Sequence, residues 1–518
     1  MTLKSSRRGV ASNVCDREDA PLIPGAERFA SAEKTDREFE ARWRGVRRLL
    51  YVVCAIEGTD MLLLPSCYRA MEVDLGLSPS SLGYLAMGQA FWQASAAPIW
   101  GAVSDSLSRR LVLTTGVGGW AVFTALTSAV SAFWVLFVIR CLNGIALASI
   151  IPVSQSIVAD VSISKNRGSA FGFIQSFTSL GQIFASLFGT WLSGITVVQG
   201  FMGWRLAFLL TGITSAVLAV VLIVEFEEPP RGAADRHEGI EVDPVVYPSQ
   251  TWFDSLTEEY RKLFYYLREV RSFVVIVLQG CFGTIPWGAF TFTTLWLQYI
   301  GFSDRSAGSL IVLYMAAAVI GGVLGGNLGD WATRKWRYFG RPFVAVCSVA
   351  AGIPTLAVAF FVVPRTTSSY SSYAFLLVIF GLVAAWPGVA TNRPILVELV
   401  DSKSRASIIA WLTALEGSSG ALFGPPMVGI IAERVFNYQH TTIPVYEMSV
   451  DVRHKNAEAL SRAMMILTCI PWMACLIFYL LLFKSYKYDC KRHTRALTSS
   501  SSKAKSPRST SSEDSSAF

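Results

Sequence analysis

Twelve blocks of apolar sequence, each about twenty residues long, constrain this chain more than any other feature. Six lie near 49–68, 81–104, 111–131, 133–157, 169–195 and 205–225; six more lie near 273–300, 307–329, 342–363, 373–397, 406–432 and 463–483. Twenty helical residues cover the roughly 30 Å hydrocarbon core of a bilayer. The expected fold class is therefore an all-α membrane protein with 12 transmembrane helices, six on each side of a polar stretch at about 226–270.

Composition removes the soluble alternatives. Only 16% of the residues are charged and 52% are apolar, where a soluble domain carries about 25% charge. The four histidines (His237, His440, His454, His493) all fall outside the apolar blocks, which excludes a histidine metal centre, a catalytic triad and an intramembrane histidine relay. The nine cysteines are scattered without a CxxC pair. No enzyme motif, metal site or cofactor is expected, apart from coupling to protons or another ion. The net charge of +8 is explained by cations retained on cytoplasmic loops, so nucleic acid is not expected as a partner.

The blocks set the organisation. Residues 1–47 read as a disordered cytoplasmic tail with no apolar signal-peptide core, and 48–225 as an amino-terminal six-helix bundle. Residues 226–271 read as a cytoplasmic linker, 272–484 as a carboxy-terminal six-helix bundle and 485–518 as a disordered, Ser-rich tail. With the amino terminus inside, the short cytoplasmic flanks carry fourteen Lys or Arg residues, against four (Arg69, Arg205, Arg305, Arg365) opposite. Both termini are thus expected in the cytoplasm. In the linker, Trp252, Phe253, Leu256, Leu263, Phe264 and Leu267 recur at helical spacing, as for a helix lying on the membrane surface or packed beneath the bundles. Glu18 to Ile23 fits an acidic dileucine pattern of the kind that routes proteins to endosomes, lysosomes or vacuoles; the plasma membrane is the other expected location. No N-x-[ST] sequon occurs.

The halves repeat one another. After the second block the chain reads GAVSDSLSRR (Gly101, Asp105, Arg109, Arg110); after the eighth it reads GNLGDWATRK (Gly326, Asp330, Arg334, Lys335), 225 residues later. A second pattern, Asp160, Lys165 and Arg167, returns as Glu398, Lys403 and Arg405 with an offset of 238. The glycines would let helices approach closely, the aspartates would meet helix N-termini, and the arginines would reach facing carboxylates. Such a network can hold one side shut and break when that side opens; the bland alternative is that the charges only set topology.

On these residues the chain resembles the major facilitator superfamily over nearly all of 48–485. Arg140-Cys-Leu-Asn143-Gly144-Ile-Ala-Leu-Ala-Ser149 is similar to the R-x-x-x-G-x-x-x-A run of its fourth helix. The resemblance implies two pseudo-symmetric six-helix bundles and transport by alternating access. Pro152 through Arg167-Gly168, Glu57-Gly-Thr-Asp60 and Arg271-Ser272-Phe273 resemble the spinster-like branch, which implies a lysophospholipid or sphingoid lipid as substrate. Where that branch carries a helix 4 glutamate, this chain has Leu147, which cannot carry a proton.

Ionisable groups at membrane depth are costly and mark function by default. Asp60 and Arg140 fall at matching depths of about 12 and 11 Å in the first and fourth spans. Glu57 lies one turn from Asp60, so the three are candidates for one substrate or proton site or, for the pair, a static bridge. Glu416 sits near the midplane in Glu416-Gly-Ser-Ser-Gly420, and Arg393 could reach it or snorkel away. Gln175, Gln182, Gln279 and Trp287 fall on cavity-prone helices. The expected function is secondary active transport of an amphiphilic small molecule, by a monomer embedded in membrane lipid. The alternatives are an organic anion, sugar or drug-like solute held by Arg140 or Arg393, and a non-transporting receptor or scaffold on the same fold.

Overall fold

The computed structural model describes residues 26–198, 201–239, 252–401, 404–445 and 447–504. The dileucine pattern, Lys403 and the last fourteen residues, 505–518, lie outside them. Among the described residues, twelve long helical units carry the fold. In the first half they are α1 (Arg44–Ser66), α2 (Pro79–Ser106), α3 (Arg109–Ala129), α4 (Phe133–Asp160), α5 (Ser164–Phe184, continuing to Ser193) and α6 (Gly203–Glu225). In the second they are α7 (Arg271–Ile300), α8 (Asp304–Lys335), α9 (Gly340–Val362), α10 (Thr367–Leu399), α11 (Arg405–Phe423, then Pro425–Arg434) and α12 (Val450–Ala504). Nine of these are long and apolar enough to cross a membrane among the described residues. Large side chains such as Trp134, Val224, Val323 and Ile470 are more than half exposed, as a lipid-facing belt requires.

Local chemistry sets the boundaries. Ser78 and Ser303 accept hydrogen bonds from the amides three residues on, capping α2 and α8, and Pro79 opens α2 where its missing N–H costs nothing. Gly301, at φ 112°, turns α7 into α8 in a conformation that favours glycine. A two-stranded antiparallel turn, Thr196–Val198 with Phe201–Met202, joins α5 to α6.

The chain enters α1 and leaves α12 at one side, here the tail side; the opposite is the far side. α2 packs along α11, and α5 meets α8, so these four helices form the seam between the halves. Glycines allow the contact: a Cβ on Gly83 would overlap the Pro425 backbone, and one on Gly429 the Ser80 backbone. One buried apolar cluster spans the second half and the far end of the first (Leu63, Tyr68, Leu82, Trp204), while the tail half of the first has its own (Leu50, Val112, Trp120, Leu222). The halves are fused at the far side and separate toward the tails.

The segments between and outside the bundles are more ordered than the sequence suggested. Residues of the amino-terminal tail form a helix, Ala26–Arg42, tied down where Glu40 accepts from Asn166 at 2.9 Å and Asp36 meets His237 at 3.0 Å. α12 continues as helix to Ala504, well into the segment read as a disordered tail, because no proline or glycine interrupts it after Pro471. The linker helix, Trp252–Glu269, combines the two faces its sequence suggested. Leu263 and Tyr266 are buried, Tyr260 packs on Trp411 at 4.6 Å, and Phe253, Phe264 and Tyr265 remain exposed.

Candidate functional site

Two chemically different centres lie at mid-depth. In the first half Asp60 and Arg140 come together, with Arg140 Nη2 3.8 Å from Asp60 Oδ2 and neither side chain exposed. The carboxylate spends its hydrogen bonds elsewhere: Gln89 Nε2 donates to it at 2.7 Å and Thr124 Oγ1 at 3.1 Å, while Asn143 Nδ2 donates to Thr124 at 2.8 Å. Arg140 therefore has no hydrogen-bond partner and rests over the Phe208 ring at 5.5 Å. Glu57 joins the cluster by accepting from Gln93 Nε2 at 3.1 Å, with its second oxygen unpaired. Sequence made these three candidates for one substrate or proton site; here they are sealed inside the bundle, at 1% exposure or less. A buried charge without full pairing is poised to exchange partners when helices move.

The second half holds an open polar cavity of about 220 Å³, lined by Gln279, Thr284, Trp287, Ser348, Asn392, Glu416, Trp472 and Cys475. Glu416 Oε1 is buried there with no hydrogen bond. A Cβ at Gly280 would strike that carboxylate, so the glycine is what leaves room for it. Beside it runs a chain of bonds: Tyr479 donates to Asn392 Oδ1 at 3.2 Å, and Asn392 Nδ2 to Gln279 Oε1 at 2.8 Å. Asn392, Tyr479 and Trp472 were missed from sequence. The residue chosen there, Arg393, is exposed, though within electrostatic reach of Glu416. A π-helical turn, Pro387–Asn392, rotates this part of α10, so that Asn392 and not Arg393 faces inward.

Trp287 also borders a larger apolar cavity of about 350 Å³ toward the far side. Met61, Pro65, Phe290, Tyr314, Met315 and Phe380 line it, with Gln182 and Ser186 from α5. Both halves contribute to its wall. The two cavities meet at Trp287, one carrying an acid and amides, the other aromatic rings.

At the tail side the duplicated charges form two ion-pair clusters. Arg109, in the first turn of α3, pairs with Asp160 at the end of α4 and lies 3.6 Å from Glu228. In the second half the equivalent partner is not Arg334 or Lys335. Arg341, in the first turn of α9, lies 3.3 Å from Asp330 and 3.6 Å from Glu398, and donates to the Ala390 carbonyl at 3.1 Å. α8 continues past Asp330 to Lys335, which carries Arg334 and Lys335 into the exposed surface, Lys335 over Trp331 and Trp336. Arg405 instead donates to the Val397 carbonyl at 2.9 Å, closing the end of α10.

The roles expected of Gly101, Gly326 and Asp105 also shift. A Cβ on Gly101 would meet open space and one on Gly326 would make ordinary contact with Val389 at 3.5 Å, so neither marks a tight crossing here. Asp105 caps no helix. Glu228 does so, accepting from Ser108 Oγ at 2.6 Å and the Arg109 amide at 3.0 Å, while Arg231 donates to the Ser104 and Asp105 carbonyls at 2.6 and 3.0 Å. One linker segment thus closes both helix ends of the α2–α3 turn, with Arg110 bonding the Ile223 carbonyl. It extends to Gly232, whose amide donates to Asp160 at 2.9 Å, and to Asp235, 2.7 Å from Arg167. Single charges in a linker give no repeat to read, so this clasp was invisible in sequence.

A family model described as "Major Facilitator Superfamily" matches residues 50–425. The chain is 25% identical over 424 residues to "Probable galactarate/D-glucarate transporter GudP" of Bacillus subtilis (strain 168), covering 78% of this chain and 88% of that protein. It is 24% identical over 400 residues to "Protein spinster homolog 1" of Xenopus tropicalis, covering 75% and 72%. Among solved structures it shares its fold with a bacterial homolog of the human lysosomal transporter Spinster in an inward-facing, unoccupied conformation. That match has a TM-score of 0.70 at 20% identity and covers 87% of this chain and 98% of the other.

Proposed function

The chain belongs to the major facilitator superfamily and is similar to its spinster branch, a transporter and not an enzyme; from that premise we propose that it carries a single-chain amphiphile by alternating access. The observation that carries this reading is the junction at Trp287 of an acid-bearing polar cavity with an apolar, aromatic one. A head group would sit at Glu416, Gln279 and Asn392, and a chain would lie toward Phe290, Tyr314 and Phe380. Among the described residues no lysine or arginine lines either cavity, and Trp287 and Trp472, their rings 6.3 Å apart, line the same cavity as the acid, an environment suited to an amine or other cationic head. A sphingoid-type or lysophospholipid-type molecule has the matching shape. Arg393, exposed near Glu416, favours the second reading, an organic anion of the kind named for the Bacillus subtilis relative.

In the same proposal the tail side is cytoplasmic, the protein acts as a monomer, and protons drive flux through Glu57 and Glu416. The lysosomal location named for the human Spinster relative, together with the dileucine pattern, supports an endosomal or lysosomal membrane. The test is flux in proteoliposomes under an imposed pH gradient, comparing a long-chain amine amphiphile with a sugar acid. Amphiphile flux that follows the gradient supports the proposal. Movement of the sugar acid alone overturns the substrate class, and flux indifferent to the gradient removes proton coupling.

A further inference from the structure

The far side of the molecule is held by a buried polar network that joins the two halves and that the transport reading leaves unused. Arg69 and Glu72 lie on a short helix, Tyr68–Leu75, that follows α1. Tyr299 ends α7, and Tyr438 follows α11. Glu72 is the hub: Arg69 Nη1 donates to its Oε2 at 2.7 Å, the Tyr299 hydroxyl to the same oxygen at 2.8 Å, and the Tyr438 hydroxyl to Oε1 at 2.6 Å. Arg69 also donates to the Tyr299 hydroxyl at 2.7 Å and to the Ile443 carbonyl. All four side chains are buried, Glu72 completely.

A second cross-link stands beside the first. Glu433, on the last turns of α11, accepts from the Ser80 amide at 2.7 Å and from its hydroxyl at 2.8 Å, so one half supplies a cap to a helix of the other. Among the described residues, the hydrogen bonds linking a membrane helix of one half to one of the other lie at mid-depth, as for Ser95 with Ser418, or at this far end. A carboxylate hub buried this deeply is tolerated because each oxygen is bonded. It cannot keep those bonds if the halves part at this end.

We propose that Glu72, with Arg69, Tyr299 and Tyr438, and the Glu433–Ser80 cap together form the gate that closes the far side and must come apart for the cavity to open there. The proposal rests on alternating access, but its test needs no substrate, so its failure is distinguishable from a wrong transport reading. Hydrogen–deuterium exchange of the full chain in lipid nanodiscs reads it, using Tyr438→Phe, Glu72→Gln and Glu433→Gln. Amides in 68–75, in 80–84 and around 436–443 should exchange faster together, by about fivefold to thirtyfold, while the 108–112 turn on the tail side is unchanged. Tyr438→Phe removes a single hydroxyl and keeps the test available if Glu72→Gln does not fold. Faster exchange confined to the substituted segment, or no change in a folded variant, overturns the gate.

Discussion

Replacing Arg341 by alanine tests the register of the duplicated charge cluster most sharply, because sequence and structure disagree there. Arg341 gives one charged hydrogen bond to the Ala390 carbonyl at 3.1 Å, a contact that contributes about 1.5 kcal/mol. Its pairs with Asp330 and Glu398 are worth less, about 0.5 kcal/mol each, because those carboxylates are 60% and 42% exposed. The sum is about 2.5 kcal/mol, near a sixtyfold change in the folded-to-unfolded ratio. Arg334→Ala, at an exposed position, should cost below about 0.5 kcal/mol. Unfolding by sodium dodecyl sulfate titration in bicelles compares the two directly, and Arg341→Lys, lacking the planar fork, should fall between them. An Arg334→Ala cost equal to that of Arg341→Ala would refute the argument and return the pairing to the register read from sequence.

Three further outcomes follow from the same contacts. Asp60→Asn should abolish flux while the protein still folds, since the amide keeps an oxygen for Thr124; the double variant Asp60→Asn/Arg140→Gln should be the more stable of the two, because Arg140 no longer sits beside a lost charge, and normal flux in the single variant contradicts this. For Glu228, burial alone would raise the carboxyl, but the Ser108 hydroxyl, the Arg109 and Arg110 amides and the Arg109 charge hold it below its ordinary 4.5. Its contribution is therefore present above about pH 4.5 and lost as pH falls through the lowered value, so the protection of the α2–α3 turn amides, taken relative to their intrinsic exchange rate at each pH, should fall on acidification and Glu228→Gln should flatten that fall. Gly181→Ala should cost about 1–3 kcal/mol and lower the yield of folded protein in detergent, because its Cβ would overlap the Ala55 carbonyl where α1 crosses α5; a neutral result would mean this crossing is looser than it stands here.

The long-range architecture was legible because hydropathy and charge repeat over twelve spans and two halves. The pairing of Asp60 with Arg140 was legible too, since helical rise alone puts them at one depth. Three things were hidden, each for a local reason. Arg341 lies beyond an extension of α8 that the first half lacks, so a fixed offset selected Arg334. Asn392 faces the cavity because a π turn changes the register that ordinary helical counting assumes. The far-side network joins Arg69 and Glu72 to residues more than two hundred positions away, a closeness that only tertiary packing creates.

The central claim is that an amphiphile lies with its head at Glu416 and its chain in the apolar cavity. Photo-crosslinking tests it most directly, using a long-chain amine with a diazirine at the end of its chain and mass spectrometry to locate the label. The account predicts label on Phe290, Tyr314 or Phe380, strongly reduced in Glu416→Gln. Label confined to the outer groove formed by Phe177, Leu180 and Phe184, or labelling of the cavity indifferent to Glu416→Gln, would contradict it.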